Sequence, residues 1–174
     1  MIKALILFLL FSSLNSVSFA QSGVKAGDKA PLLSVDEWLK GEPVYSFEDG
    51  KVYLVEFWGT WCSPCIKNIP HLSELEKKYS GNGLVVIGVA THEINGRDKL
   101  DQFMKDRGNA EMEYRVAYDS DLTMERDWDT GETGGNNFRL PVCFLIDKSG
   151  SVVFVGHPGD KKLESMIEST IDVK

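Results

Sequence analysis

Cys62 and Cys65 stand three positions apart in the stretch EFWGTWCSPC, Glu56 to Cys65. Cysteines at that spacing can serve as a staple, as half of a metal site or as a redox reagent. A bridge between them closes a loop of only four residues, for which chain entropy gives about 1.9 kcal/mol against about 4.7 for a 100-residue loop. A chain of this size needs no such staple, because ~150 residues bury about 70% of their unfolded surface. Structural zinc takes about four ligands at suitable spacing. This chain has no second Cys-x-x-Cys, only Cys143 and the isolated His71, His92 and His157. A redox couple remains, and neither a metal nor another cofactor is expected.

The same pair means different things in reducing and oxidising surroundings, so the compartment comes next. Met1-Ile-Lys3 is a short basic start, ALILFLLF (Ala4 to Phe11) is an apolar core, and Ser18-Phe-Ala20 offers small residues where a signal peptidase cuts. Cleavage is expected after Ala20, leaving a short lead at 21–30 and one domain over 31–174. The apolar run falls well short of the roughly 20 residues that span a bilayer. Gln21 rather than a cysteine follows the cut, so no lipid anchor is expected either. Export, periplasmic location and no stable membrane insertion after cleavage are the expectations. The chain carries 19 Lys and Arg against 26 Asp and Glu, a formal net charge of −7, and loss of the leader removes one lysine more. That acidic balance argues against nucleic acid as a partner.

Two elements must position the cysteines. VYLVEFW (Val52 to Trp58) is rich in β-branched and aromatic residues and follows the turn signal Asp49-Gly50, so a buried strand is expected there. After Cys65, Ile66, Ile69, Leu72, Leu75 and Tyr79 recur at steps of three and four, the stripe of an amphipathic helix. Pro64 suits the first turn, where its missing N–H has no intrahelical use. Cys62 then caps the positive end of the helix, where free N–H groups favour a thiolate. Cys65 lies one turn inward on the same face. Cys62 is therefore expected to attack and Cys65 to break the mixed disulfide. A Cys62 pKa lowered by about two units would stabilise the thiolate by about 2.7 kcal/mol, raising the potential by something like 60 mV.

Glu56 lies inside the expected strand. If it is buried its pKa rises, and it can exchange a proton with Cys65 near neutral pH. The alternative is an acid at the rim of the sheet that stays solvated. Cys143, inside VCFLID, reads as a small buried apolar residue, with a regulatory or mispairing thiol as the alternative. His71 and His157 read as surface and turn residues. Elsewhere, LLSVDEWLKGEPV (Leu32 to Val44) supplies an N-terminal strand, and LVVIGVA (Leu84 to Ala90) a second buried one. Arg97 to Arg107 forms a helix, Glu111 to Trp128 an insertion, and Asp129 to Asn137 a long loop. VCFLID and VVFVG form a hairpin around Lys148-Ser-Gly150, and Asp160 to Ile171 a closing helix.

W-C-x-P-C between a buried strand and a helix resembles the thioredoxin superfamily. EFWGTWCSPC followed by IKNIPHL, with LPVCFLIDKSG and VGHPG later, is similar to the exported TlpA/ResA-like thiol-disulfide oxidoreductases. The likeness spans about Pro31 to Ile171. It implies an α/β thioredoxin-like fold: a central mixed β-sheet flanked by helices, with an N-terminal β extension and an insertion before the strand that Pro141 opens. It also implies that the Pro141 peptide is cis and that Trp61, Leu140 and Pro141 form the surface where an incoming chain pairs. From the residues alone, a proline opening a strand is punctuation. Glu56 stands six residues before Cys62, where thioredoxins carry a buried aspartate. ResA-like proteins often place an acid three residues after the second cysteine; here that residue is Asn68, so no acid-base role transfers to it.

The implied partners are cysteine-containing exported proteins and a membrane or exported thiol that donates electrons. The implied activity is reduction of protein disulfides, of the cytochrome c maturation or disulfide repair type, with a disulfide-forming oxidase as the reverse direction. A thiol peroxidase would use P-x-x-x-T-x-x-C, and Gly59 stands where the threonine belongs. A redox-silent peptide-binding module is the other rival, distinguished by turnover of insulin disulfides.

Overall fold

Val52–Trp58 forms a strand whose seven side chains are all buried, because apolar residues on both of its faces have a layer to pack against. The computed structural model that shows this describes residues 23–129 and 139–172. The expected leader at 1–20 lies outside them, as does nearly all of the expected loop at 129–137.

The strands are β1 (Glu37–Lys40), β2 (Val52–Trp58), β3 (Leu84–Thr91), β4 (Arg115–Asp119), β5 (Val142–Ile146) and β6 (Val152–Gly156). They form one sheet in the order β1-β4-β3-β2-β5-β6. β2, β3 and β4 run parallel, while β1, β5 and β6 join antiparallel to their neighbours. The main helices are α1 (Ser63–Tyr79), α2 (Arg97–Phe103), a single turn α3 (Asn109–Glu111), α4 (Thr123–Asp127) and α5 (Leu163–Ile171).

The pleat divides β2 between two cores. Val52, Leu54 and Trp58 face Cys65, Ile69 and Leu72 of α1 and Leu163, Ile167 and Ile171 of α5. Tyr53, Val55 and Phe57 face the other side, where Trp128 closes the core after α4. The Trp128 ring sits 5.1 Å from Phe144 and 5.9 Å from Phe57, centroid to centroid. Full burial of such side chains contributes roughly 1.5–3 kcal/mol each.

Arg115–Asp119, expected within an insertion, is an integral strand. It pairs with β3 on one side and carries β1 on the other, so the N-terminal extension covers the edge that β4 would otherwise expose. The helix expected over Arg97 to Arg107 continues through a π turn at Met104–Gly108 into α3. A Cβ at Gly108 would stand 2.6 Å from the Met104 sulfur, so a larger residue there requires the methionine side chain to shift. α1 runs unbroken through Pro70, which has no N–H to give the carbonyl of Ile66. The lead is fastened as well: Gly27 N donates to Val152 O and Ala30 N to Gly150 O.

Candidate redox site

The chain leaves the C-terminal end of β2, turns through Gly59 to Trp61 and enters α1 at Ser63. Cys62 is the N-cap residue, with extended backbone (φ −86°, ψ 91°). Its Sγ accepts the N–H of Cys65 at 3.3 Å, and its carbonyl accepts the N–H of Ile66 at 3.1 Å. The sulfur thus occupies the place where a helix N-terminus holds an anion. Cys62 and Cys65 are joined as a disulfide, with Cα atoms 5.2 Å apart. Cys62 is 4% exposed and Cys65 1%, a smaller contrast in the bridged state than an exposed attacker and a shielded partner imply.

The turn ahead of Cys62 is held from the loop that follows β3. Thr60 donates its backbone N–H to Glu93 Oε1 at 2.8 Å and its hydroxyl to Oε2 at 2.6 Å. Trp61 Nε1 donates to the carbonyl of His92 at 2.7 Å. Trp61 keeps 38% of its surface exposed, next to the sulfur. Glu93 has no motif around it in the sequence, and its partner is 33 residues away, so only the fold shows its role.

The Leu140–Pro141 peptide is cis. Phe57 is in register with Val142, which brings Pro141 level with Trp58 at the end of β2, where the cysteine loop departs. Leu140 is half-buried and touches both cores, while Pro141 is buried. Cys62, Cys65, Trp61 and Pro141 therefore converge at one end of the sheet.

Glu56 is 1% exposed, which rules out the solvated rim. Its side chain points to the same side as those of Leu54 and Trp58, two residues either way, and so lies on the α1 face, the side of Cys65. Its Oε1 has no hydrogen-bond partner, and burial raises its pKa to about 8. Cys143 is directly opposite Glu56 in the β2/β5 register. It is a buried free thiol, pushed well above its ordinary pKa by burial first and by the Glu56 charge second. A thiol in that position is protonated and inert toward external reagents.

Asn68 turns its amide back to the carbonyl of Pro64, at 2.8 Å. His157 is exposed, and its Nδ1 accepts the N–H of Gly159, the expected turn role. Among the described residues, Asp36, Asp119 and Asp121 bring carboxylate oxygens within 4.8 Å of one another. Asp36 and Asp119 already accept from Ser120, Met124 and Glu125. Among the described residues no helix is long and apolar enough to cross a membrane.

The chain is similar to known proteins in both sequence and fold. The Redoxin family model matches residues 25–171. The chain is 31% identical over 149 residues to the thiol-disulfide oxidoreductase ResA of Bacillus cereus, covering 83% of this chain and 78% of that protein. It is 30% identical over 141 residues to protein FixW of Rhizobium leguminosarum, covering 78% of this chain but only 62% of FixW. A thioredoxin-family thiol:disulfide interchange protein from Chlorobium tepidum superposes with a TM-score of 0.66 at 26% identity, over 85% of this chain and 98% of its own. The thioredoxin domain of a thiol-disulfide oxidoreductase from Bacteroides vulgatus shares the fold, with a TM-score of 0.64 over 86% of this chain and 99% of its own at 23% identity.

Proposed function

The chain belongs to the Redoxin family, and from that premise we propose that it is an exported thiol-disulfide oxidoreductase that reduces protein disulfides through a mixed disulfide on Cys62. The observation that carries the reading is the Cys62 sulfur placed as the N-cap of α1, where it accepts an N–H and lies at the positive end of the helix. In the reduced protein the Cys62 thiolate attacks one sulfur of a substrate disulfide. The other substrate sulfur leaves as a thiolate and takes a proton. The Glu56 carboxylate then removes the proton from Cys65, whose sulfur attacks Cys62 Sγ. The Cys62–Cys65 bridge forms, the second substrate sulfur is released, and two electrons have passed to the substrate. A membrane or exported dithiol returns them.

Trp61 and Leu140 offer the surface on which the substrate segment lies, and the buried cis-Pro141 fixes the backbone beside it. The substrates are cysteine-containing exported proteins, of the apocytochrome c or misoxidised class. Reduction is the direction that the ResA likeness supports. The signal-like residues 1–20 support export, and cleavage after Ala20 gives a periplasmic protein.

A substrate trap tests this. In Cys65→Ser the second step has no nucleophile, so exported proteins accumulate on Cys62 as dithiothreitol-sensitive adducts, while Cys62→Ser captures far less. Failure of both variants to trap, or alkylation of Cys65 before Cys62 at pH 6.5 in the reduced protein, refutes the mechanism. Equilibration with glutathione decides direction: a midpoint near the thioredoxin value of about −270 mV supports reduction, and one near about −120 mV supports disulfide formation.

A further inference from the structure

Three buried polar atoms among the described residues have no hydrogen-bond partner: Glu56 Oε1, Trp58 Nε1 and Tyr114 Oη. They gather at one place. Glu56 is in register with Gly88 on β3. A Cβ at Gly88 would stand 3.0 Å from Tyr114 Cε2 and 3.2 Å from Trp58 Nε1. The tyrosine ring and the indole thus meet over the one β3 residue that has no side chain, beside the buried acid. Tyr114 is 4% exposed. Its phenol is held well above the ordinary range by burial, and then by the charge of Glu56.

Among the described residues no cation acts on Glu56. On α1 there is the Cys65 sulfur, on β5 the Cys143 thiol, ahead of β4 Tyr114, and on its own strand Trp58. Asp160 adds a further negative charge near Cys143. Nothing offsets the burial of Glu56.

We propose that Tyr114 is a positioning residue for the buried acid: its hydroxyl donates to the Glu56 carboxylate each time Glu56 ionises, and Gly88 is the cradle that lets the ring reach it. This rests on the reading of Glu56 as the proton acceptor for Cys65. A protonated Glu56 is neutral and makes little demand on a donor. Once the proton leaves, the anion sits in an apolar interior and needs donors, and the two orphaned ones are beside it. Tyr114 keeps its own proton throughout, so it lends a dipole and not a proton.

The test follows the Glu56 carboxyl by ¹³C NMR in the oxidised protein, with the resonance identified by its loss in Glu56→Gln. Tyr114→Phe removes the donor and keeps the ring. The Glu56 midpoint should rise by about one unit, a nearly tenfold loss of carboxylate at pH 7. 3-Fluorotyrosine placed at position 114 is a stronger donor that differs by a single fluorine, and should move the midpoint down. The pH profile for release of the mixed disulfide should move with each. Equal Glu56 midpoints in the three proteins overturn the proposal. The carboxyl titration does not depend on catalysis: if Glu56→Gln leaves release unchanged, the proton-acceptor role of Glu56 fails, while the coupling to Tyr114 is still decided by the carboxyl shift.

Discussion

Replacing Glu56 by glutamine should change how stability depends on pH, in a direction opposite to that of most carboxylates. Burial raises the Glu56 pKa from 4.5 to about 8 in the folded protein. The folded chain therefore holds this proton more tightly than the unfolded chain. The stability this contributes is fully present below about pH 4.5 and is lost as pH rises towards 8, after which it is flat. A difference of about 3.5 units at 1.36 kcal/mol each amounts to about 5 kcal/mol, of which about 3.4 is already gone at pH 7. Glutamine keeps the size and carries no proton to lose. It leaves a polar amide to satisfy, a pH-independent cost of about 1–3 kcal/mol. Urea unfolding of oxidised wild type and Glu56→Gln, in half-unit steps from pH 4 to 9, isolates the effect, because titrations that do not feel the Glu56 charge cancel in the difference. The oxidised form keeps Cys62 and Cys65 from titrating. The variant should gain on the wild type by about 3.5 kcal/mol between pH 5 and 8, most steeply near pH 6, at about 1.3 kcal/mol per pH unit. Parallel curves would refute the reasoning, since they would mean that Glu56 is not desolvated in the folded protein.

Two further predictions concern neighbours of the site. Glu93→Ala frees Thr60 from both of its bonds, so it should cost about 1–3 kcal/mol in urea unfolding and slow insulin reduction, with Glu93→Gln between it and wild type. Cys143→Ala removes the third thiol without adding a donor beside Glu56, and should cost about 1 kcal/mol yet leave insulin turnover at the wild-type level. Loss of turnover in a folded Cys143→Ala protein would give the third thiol a redox role.

How much of this was legible in the sequence depends on the range of the signals. β2 was readable from its run of β-branched and aromatic residues after Asp49-Gly50, and α1 from its own apolar stripe, with Pro64 marking the first turn. The β5–β6 hairpin was readable from its turn, where Gly150 takes φ 76°. β4 was not readable as part of the central sheet, because its place is set by pairing with β1, some 75 residues earlier. The two cysteines announced themselves by spacing, and Glu56 by being a charge inside a strand. Glu93 and Tyr114 carry no local mark, since each acts on a residue distant in the chain. Gly88 had one: a lone glycine inside LVVIGVA signals that something comes close to the backbone, though not that it would be Tyr114 and Trp58.

The gap at Pro70 says which side of the site gives way. β2 is clamped along its length by β3 and β5, so Glu56 rides on a stiff support. α1 lacks the bond that would tie the Ile66 carbonyl to position 70, one turn after Cys65, and a helix with such a gap is compliant there. The two sulfurs lie before that gap, on a segment tied at its start to Glu93 and His92, above a strand with no bond missing. A bend at Pro70 therefore moves the body of α1 relative to the cysteines, and leaves the buried acid where the sheet holds it.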